Sequence, residues 1–364
     1  MEETALNCLI EELKKQNTMQ RILLAIDSGA CPALVTGAGS IHKAHMASAI
    51  FEYTKRPMLL VCADEQETRR LSLDVETLTG QPVWRLAGRD FVFHNVETAS
   101  RQAEQLRLRT LYAMASGQSQ IVVATVEAVL QRTLPKDRLL RAARILKSGE
   151  SYPPEEIVAS LTTAGYKRCD QVEGVGQFAL RGGILDFFSP AEDNPVRCEF
   201  FGDEIDSMGV FDVLTQRRTE MIESTVILPA AETNLGFFPG GETAFLERLE
   251  SLRKKVAARK NAPAAAQEKI REDLERLKAG RELPAADKYL DLLYPPVSAV
   301  DFLPRTPSSF SVNRGGWRSR QRPAYGARER MRRHCWRREH SSAARRTSTG
   351  PGRKSRTRCR STRS

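Results

Sequence analysis

The sequence predicts an α/β protein with a doubly wound, mostly parallel sheet and an inserted small antiparallel α+β domain. Over the first 130 residues, short apolar runs alternate with amphipathic helical stretches, which is typical of buried parallel strands joined by right-handed crossovers. Between Gln171 and Arg217, aromatic and β-branched residues alternate with polar ones, as in an antiparallel sheet with one wet face. The last 60 residues contain almost no aliphatic side chains and are predicted to form a disordered basic tail.

The elements of the first part follow from the period of their apolar residues. Helices are predicted where the apolar residues recur every three or four positions, and strands where they form short continuous runs. The predicted strands are Ala33–Thr36, Pro57–Cys62 and Gln120–Ala124. The predicted helices are Lys43–Tyr53, Glu65–Thr79 and Ala99–Ala115. Each helix can return the chain across the sheet so that the next strand runs parallel to the last.

The antiparallel part is predicted from alternation, because side chains two residues apart share one face of a strand. Every second residue from Val196 to Phe200 is predicted to face a core. The intervening residues Arg197, Glu199 and Phe201 are predicted to point the other way. An arginine, a glutamate and a phenylalanine on the outer side of one small sheet indicate a binding surface.

The segment after this sheet returns to apolar and helical patterns. Val226–Pro229 is predicted to return as a further strand, and two amphipathic helices follow at 243–260 and around 270–277. Neither helix has enough heptads for a coiled coil, so both are predicted to pack on the α/β body. The predicted divisions are 1–132 for the first part of the α/β domain, 133–222 for the inserted domain, 223–304 for the return segment and helices, and 305–364 for the tail.

Charge is divided unevenly along the chain. The tail holds 19 of the 56 lysines and arginines but only 2 of the 45 acidic residues, so its net charge is +17 while that of the preceding 304 residues is −6. The mildly acidic body gives no electrostatic reason to expect nucleic-acid binding. The tail cannot bury enough apolar surface to offset its chain entropy, and we therefore expect it to be disordered.

The turn before the first predicted α/β helix is similar to a phosphate-binding loop that has lost two groups. It reads TGAGSIHKA at 36–44 and keeps Gly37, Gly39 and Lys43. A working loop has glycine before the lysine and a hydroxyl after it, because backbone amides hold the phosphates and the hydroxyl holds Mg²⁺. His42 and Ala44 occupy these positions. We predict a vestigial loop and no cofactor in this chain.

The sequence indicates no other catalytic or metal site. His42 and His45 lack a carboxylate or thiolate partner nearby, and the acidic turn at 203–206 lacks the glycine spacing of a calcium loop. The seven cysteines form no C-x-x-C pair, so reduced thiols are expected. Residues 1–17 do not have the pattern of a signal peptide, and the apolar runs are too short to span a bilayer. We therefore expect a cytoplasmic protein without membrane contact.

Two motifs in the antiparallel part resemble the UvrB-interaction module of bacterial nucleotide excision repair. They are F-x-x-R-G at 178–182 and R-x-E-F-F-G-D-E at 197–204. That module occurs in the damage-loading protein UvrB and in the transcription-repair coupling factors (Mfd). The flanking runs AGRDF at 87–91 and DKYL at 287–290 are similar to the coupling factors. The resemblance extends from about residue 15 to residue 304.

The resemblance implies that the chain recruits the damage sensor UvrA to stalled transcription sites. Arg168, Arg181, Arg197 and Glu199 occupy the positions of UvrA-contacting residues in the matching motifs, whereas Ala179 stands where UvrB carries a second arginine. Full-length relatives would add an RNA polymerase-binding domain and a translocase of double-stranded DNA that uses ATP and Mg²⁺. None of that machinery is encoded here, so we expect no enzyme activity from this chain.

Two other functions stay open on the sequence alone. One is a UvrB-like ATP-dependent repair factor, although the altered loop and the lack of helicase motifs argue against it. The other is a nucleic-acid-binding protein that acts through its basic tail.

The tail also has an explanation at the level of the gene. The family resemblance stops after Pro304. Codons can be chosen for Arg305–Arg320 so that a shifted reading frame encodes Asp-Ala-Val-Val-Phe-Leu-Ser-Glu, the kind of strand expected next in the family. A frameshift is our preferred interpretation of the tail.

Overall fold

The computed structural model describes residues 2–30, 34–89, 101–238, 240–258, 264–281, 283, 286–303 and 308–311. The α-helices are α1 (Glu2–Lys15), α2 (Asn17–Asp27), α3 (Ser40–Thr54), α4 (Glu65–Thr79), α5 (Arg101–Ser116), α6 (Val126–Leu130), α7 (Lys136–Ala142), α8 (Pro154–Thr163), α9 (Gly241–Ala257), α10 (Ala264–Lys278) and α11 (Leu290–Leu293). Short 3-10 turns lie at Leu235–Phe237, Ala286–Tyr289 and Ala299–Phe302.

Within the described residues, the strands form one parallel sheet, one larger mixed sheet and two short ribbons. They are β1 (Met58–Cys62), β2 (Val83–Leu86), β3 (Ile121–Thr125), β4 (Arg132–Thr133), β5 (Arg144–Lys147), β6 (Lys167–Arg168), β7 (Gln177–Arg181), β8 (Ile184–Phe187), β9 (Val196–Phe201), β10 (Glu204–Phe211), β11 (Arg218–Met221), β12 (Ser224–Ile227), β13 (Val297–Ser298) and β14 (Ser308–Ser311). The predicted α/β class is confirmed by this mixture of a parallel sheet with antiparallel sheets.

The parallel sheet has the order β14-β1-β3-β2. Its two inner strands are apolar and buried along their whole length, and no residue of β1 is more than 1% exposed. Helix α4 connects β1 to β2 at the predicted boundaries because Asp64 caps its first turn, accepting from the Glu67 amide at 2.9 Å, while Gly80 ends it in the left-handed region. Helices α1 to α4 bury their apolar residues against one side of β1 and β3.

The antiparallel domain comprises β5 to β12 with helix α8. Its six-stranded sheet has the order β11-β10-β9-β8-β7-β6, in which only the short β6 pairs in parallel. Helix α8 buries Ile157 and Leu161 against the inner face of this sheet, which contributes Phe178, Phe187 and Cys198 among others. The predicted alternation of β9 is confirmed, because Val196 and Cys198 are fully buried while Phe201 is 85% exposed.

The structure differs from the predicted elements at two strands. Leu34–Thr36 is irregular rather than a strand, and among the described residues neither edge strand of the parallel sheet pairs with it. The predicted strand near Val226 does not return to the parallel sheet; it is β12 and pairs antiparallel with β5. Leu146 of β5 and Ile227 of β12 belong to the core of the antiparallel domain, so burial of these side chains determines the pairing.

The prediction of a disordered tail from Arg305 is wrong for Ser308–Ser311. These four residues form β14, which pairs in parallel with β1 from Met58↔Ser308 to Val61↔Ser311. An apolar strand left at a sheet edge would present unpaired amides and carbonyls, and pairing with β14 satisfies one side of β1 despite the polar sequence of β14. The other tail residues lie outside the described ranges.

A buried charge cluster joins the antiparallel domain to the parallel part. Glu232, which is 0% exposed, forms an ion pair with the Arg107 guanidinium at 2.8 Å and accepts a hydrogen bond from the Thr133 hydroxyl at 2.6 Å. Its backbone amide donates to the Glu104 carboxylate at 3.0 Å. Burial lowers the pKa of Arg107, and the neighbouring Glu232 carboxylate opposes that shift. The cluster therefore fixes the segment after β12 on helix α5.

The C-terminal helices are held by a second buried carboxylate. Asp273 on α10 accepts from the Tyr289 hydroxyl at 2.6 Å and the Lys288 ammonium at 2.5 Å. Tyr289 also contacts Phe245 of α9 edge to face, with ring centroids 6.0 Å apart. The run DKYL at 287–290 therefore has a structural role, since it attaches the chain after α10 to the pair of helices.

Two truncations test the role of β14. Removing 314–364 should leave the melting temperature unchanged, because that segment has few aliphatic residues to bury. Removing 305–364 should lower it by roughly 5 °C, since the hydrogen bonds to β14 contribute ~0.5–1.5 kcal/mol each and β1 becomes an edge strand. Thermal unfolding followed by circular dichroism makes the comparison. Equal melting temperatures for the two truncated chains would show that β14 contributes nothing to stability.

Candidate protein-docking site

The side of the six-stranded sheet away from α8 carries two cross-strand rows of side chains. The first row is Arg181↔Ile184↔Glu199↔Ser207 and the second is Ala179↔Asp186↔Arg197↔Gly209↔Met221. Arg218 and Phe201 lie on the same side, since they pair with Phe211 and Glu204 of β10. We call this side the outer face, comprising Arg181, Ile184, Asp186, Arg197, Glu199, Phe201, Ser207, Arg218 and Met221.

Asp186 is the centre of the outer face. It is 0% exposed, and its two carboxylate oxygens accept from the Nε and Nη2 groups of Arg197 at 2.7 and 2.9 Å. Arg181 Nη2 reaches the same carboxylate at 2.9 Å. The hydrogen bond to Asp186 is the main reason that the pKa of Arg197 is raised. A two-point fork of this kind fixes a guanidinium in one plane.

The two arginines on Asp186 differ in exposure. The Arg197 side chain is 18% exposed and its guanidinium lies 4.6 Å from the centroid of the Phe211 ring, a cation–π contact. The Arg181 side chain is 55% exposed. Arg181 therefore keeps donors available to a partner, whereas Arg197 is held within the domain.

Glu199 has a different partner from Arg197. The Arg218 guanidinium crosses β10 to reach Glu199 at 2.5 Å, and Ser207 donates to the same carboxylate at 2.8 Å. Arg218 passes over Gly209, where a Cβ would lie 2.8 Å from its Cδ and 2.6 Å from the Glu220 carbonyl oxygen. Glycine at this strand position allows the close approach. The Glu199 side chain remains 42% exposed, so its carboxylate also faces solvent.

Large apolar side chains surround these charges. Ile184 lies in register between Arg181 and Glu199 and is 38% exposed, while Phe201 at the end of β9 is 85% exposed. Met221 on the edge strand β11 is 56% exposed. A surface that presents aromatic and aliphatic side chains beside arginines has the composition of a protein–protein interface.

The structure brings together three of the four predicted contact residues. Arg181, Arg197 and Glu199 share the outer face, but Arg168 does not. Arg168 is exposed on the edge strand β6 in register with Phe178, which belongs to the inner face. Asp186 and Arg218 were missed by sequence reasoning, although the D at the third position of ILDF is a polar residue in an apolar strand and signals a buried partner.

Strand β9 contains a buried thiol. Cys198 lies between Arg197 and Glu199 in sequence but points into the core, and burial raises its pKa to about 12. Among the described residues the cysteines form no disulfide: Cys8 is exposed, Cys62 and Cys198 are buried and Cys169 is half-buried.

The lysine of the loop that resembles a phosphate-binding loop is engaged in an ion pair. Lys43, in the first turn of α3, forms an ion pair with Glu67 of α4 at 3.0 Å, and both side chains are at most 25% exposed. Glu67 also accepts from the Ala63 amide at 3.3 Å. Gly37 and Gly39 lie in an irregular loop that does not follow a strand within the described residues. The lysine therefore neutralises an internal carboxylate instead of pointing freely from the loop.

The described residues contain no group of three or more His, Cys, Asp or Glu side chains placed to hold a metal ion. Within the same ranges, no helix is both long enough and apolar enough to cross a membrane.

The antiparallel domain matches a known family. Residues 145–232 fit the family model described as the UvrB interaction domain. The matched range begins in β5 and ends at Glu232, so it includes β12, which the sequence prediction had placed beyond the domain boundary at 222. The outer face lies entirely within the matched residues.

Curated relatives confirm the resemblance seen in the sequence. The chain is 32% identical to the transcription-repair-coupling factor of Escherichia coli over 213 residues, 58% of this chain. It is 28% identical to that of Bacillus subtilis over 300 residues, 80% of this chain, and 30% identical to that of Myxococcus xanthus over 246 residues, 65% of this chain. The matches span 18–25% of the length of these relatives.

Substitution of Asp186 tests its central position on the outer face. Asp186→Ala should lower the free energy of unfolding by about 2–3 kcal/mol, because the half-buried Arg197 guanidinium loses its carboxylate. Arg181→Ala should cost less than about 1 kcal/mol, because that side chain is mostly exposed. Urea denaturation of both variants measures the difference. Equal small losses would show that the Asp186–Arg197 fork does not stabilise the domain.

Nucleotide titration tests the altered loop. We predict that calorimetry with ATP and Mg²⁺ detects no binding, because the loop lacks the glycine and the hydroxyl and Lys43 is paired with Glu67. The Glu67→Ala variant frees Lys43 from its ion pair and should still not bind ATP. This result would show that the missing glycine and hydroxyl, and not the pairing of Lys43, prevent binding. Micromolar, Mg²⁺-dependent binding by the unaltered chain would contradict the prediction.

Proposed function

We propose that this chain recruits the excision repair protein UvrA through its outer face, as the repair-recruiting part of a transcription-repair coupling factor. The match of 145–232 to the UvrB interaction domain and the similarity to transcription-repair-coupling factors support a function in DNA repair. Excision repair acts on chromosomal DNA, which in bacteria lies in the cytoplasm, and we propose that location for the chain.

The observation that carries the proposal is the arrangement of exposed groups within the matched domain. Arg181 and Glu199 project from one row, with Ile184 between them in register and Phe201 exposed at the end of β9. Three arginines and two carboxylates make the outer face slightly basic. A complementary partner would offer acidic side chains around an apolar surface.

The four residues assigned by resemblance have different roles in this proposal. Arg181 and Glu199 contact UvrA directly, since both remain substantially exposed. Arg197 holds the face together through Asp186 and contributes to binding through the residues it positions. Arg168 lies on the inner-face row of the edge strand and contacts UvrA only if the partner wraps around β6.

The parallel part is a scaffold in this proposal. We infer a degenerate, doubly wound UvrB-like domain in which the Lys43–Glu67 ion pair replaces nucleotide contacts. The same observation disfavours a UvrB-like ATP-dependent factor. RNA polymerase binding, double-stranded DNA binding and the use of ATP and Mg²⁺ are proposed for regions of the longer relatives that the match does not include. The basic tail lies largely outside the described residues and supports no second function.

Two substitutions on the outer face test the recruitment of UvrA. Arg181→Ala and Phe201→Ser should each weaken binding to purified UvrA at least tenfold, because arginine and aromatic side chains dominate interface energies. Melting temperatures should change little, since both side chains are more than half exposed. Isothermal titration calorimetry with UvrA from Escherichia coli or Bacillus subtilis measures the affinities.

Leu73→Ser is the matched control for loss of an exposed apolar side chain. Leu73 is 65% exposed on α4, in the parallel part, and its substitution should leave the affinity unaltered. If Arg181→Ala and Phe201→Ser bind UvrA as the unaltered chain does, the outer face is not the docking site. A loss of affinity in Leu73→Ser equal to theirs would point to a different surface.

A further inference from the structure

The loop between β10 and β11 is built to hold one conformation. Asp212 accepts from the Thr215 amide at 2.7 Å and from its hydroxyl at 2.8 Å. The two ends of the loop are joined by a backbone hydrogen bond, in which the Asp212 amide donates to the Arg217 carbonyl at 3.0 Å. Gln216 has a φ of +58°, a left-handed conformation that is uncommon for residues other than glycine. Such a backbone persists only where its surroundings enforce it.

The left-handed conformation of Gln216 is supported by a residue of the outer face. Arg197 Nη1 donates to the Gln216 carbonyl at 3.3 Å, so the same guanidinium holds Asp186 and the loop. The Gln216 side-chain amide donates to the Val213 carbonyl at 2.8 Å and to the Val172 carbonyl at 3.4 Å. Arg197 therefore attaches the loop to the side of the sheet that carries Arg181 and Glu199.

This rigid loop presents Leu214 to solvent. The Leu214 side chain is 90% exposed, the largest value among the exposed large hydrophobic residues of the described ranges. A single exposed leucine is ordinary on a protein surface. Here, however, the leucine stands on a strained loop fixed by five hydrogen bonds of at most 3.5 Å, and Phe201 is 85% exposed at the opposite end of β10.

The separation of these two side chains fits one interface. Strand β10 has eight residues, and at ~3.3 Å per residue it spans about 25 Å between the Phe201 hairpin and the Leu214 loop. A specific protein interface of standard size buries ~800 Å² on each partner, which corresponds to a patch about 30 Å across. Phe201 and Leu214 are therefore spaced to lie at the two ends of one docked surface, with Arg181 and Glu199 near one end.

We infer that Leu214 is a second apolar anchor for the partner of the outer face, and that Arg197 is a positioning residue for its loop. The inference rests on the proposed function, with UvrA as the occupant. It assigns to UvrA two apolar pockets about 25 Å apart, with acidic side chains beside the one that receives Phe201. A preorganised loop binds at less entropic cost than a flexible one, which accounts for the number of contacts that fix it.

Calorimetric titration of UvrA with Leu214→Ser, Arg197→Lys and the double variant tests both halves of the inference. Leu214→Ser should weaken binding at least fivefold without changing the melting temperature. Arg197→Lys should weaken binding to a similar extent, because lysine cannot hold both Asp186 and the Gln216 carbonyl. In the Leu214→Ser background, Arg197→Lys should weaken binding less than twofold further. Hydrogen exchange should show faster exchange of the 213–217 amides in Arg197→Lys.

The outcomes separate this inference from the proposed function. If Arg181→Ala weakens binding but Leu214→Ser does not, Leu214 is no anchor and the outer face remains the docking site. If Arg197→Lys is as damaging in the Leu214→Ser background as in the unaltered chain, Arg197 acts through Asp186 and Arg181 or contacts UvrA itself, and it is not the positioning residue of the Leu214 loop. If Arg181→Ala, Phe201→Ser and Leu214→Ser all bind normally, the proposed function is wrong. Leu73→Ser again controls for loss of an exposed leucine.

Discussion

The fork between the Asp186 carboxylate and the Arg197 guanidinium is the interaction on which the candidate site depends. A carboxylate with no solvent exposure is costly unless its oxygens are occupied, and here they accept from Arg197 at 2.7 and 2.9 Å and from Arg181 at 2.9 Å. Arg197 in turn covers Phe211 and holds the Gln216 carbonyl. One buried charge therefore fixes the direction of Arg181, the position of β9 relative to β8, and the loop that carries Leu214.

The sequence could predict which side of β9 is wet, but not how its charges pair. Alternation alone places Arg197, Glu199 and Phe201 on one side, because that rule needs only the period of a strand. The partners depend on register: Asp186 faces Arg197 because β8 and β9 align Phe187 with Val196. Arg218 reaches Glu199 because a shift in the pairing register of β10 with β11 and the absence of a side chain at Gly209 let it cross the strand. Neither the register nor its shift is visible in the residue pattern.

Other predictions failed where tertiary contacts override local pattern. Two predicted strands, Ala33–Thr36 and Val226–Pro229, have similar apolar content. The described residues of the first, Leu34–Thr36, form no strand, whereas the second contributes to β12 because β5 offers it a partner and a core. Ser308–Ser311 has a poor composition for a strand and forms one beside β1. Whether these four residues form a strand is decided more by the unpaired edge of the buried strand β1 than by their intrinsic strand propensity.

We propose that the parallel part is a scaffold and that the antiparallel domain carries the docking surface. In the parallel part, Lys43 is internally neutralised by Glu67, and the Glu232 cluster fastens this part to the antiparallel domain. The exposed groups that fit a partner lie on the antiparallel domain, which carries the match to the UvrB interaction domain. The proposed scaffold function agrees with the presence of His42 and Ala44 at the positions where a working phosphate-binding loop has glycine and a hydroxyl.

Site-specific photo-crosslinking tests the central claim most directly. A benzophenone amino acid is placed at position 201, at position 214 or at position 73, and each protein is irradiated with purified UvrA. The account predicts UvrA adducts from positions 201 and 214 and none from position 73, because position 201 lies on the outer face, position 214 lies on the loop held by Arg197, and position 73 lies on α4. Adducts from position 73, with none from position 201, would show that UvrA docks elsewhere on the chain.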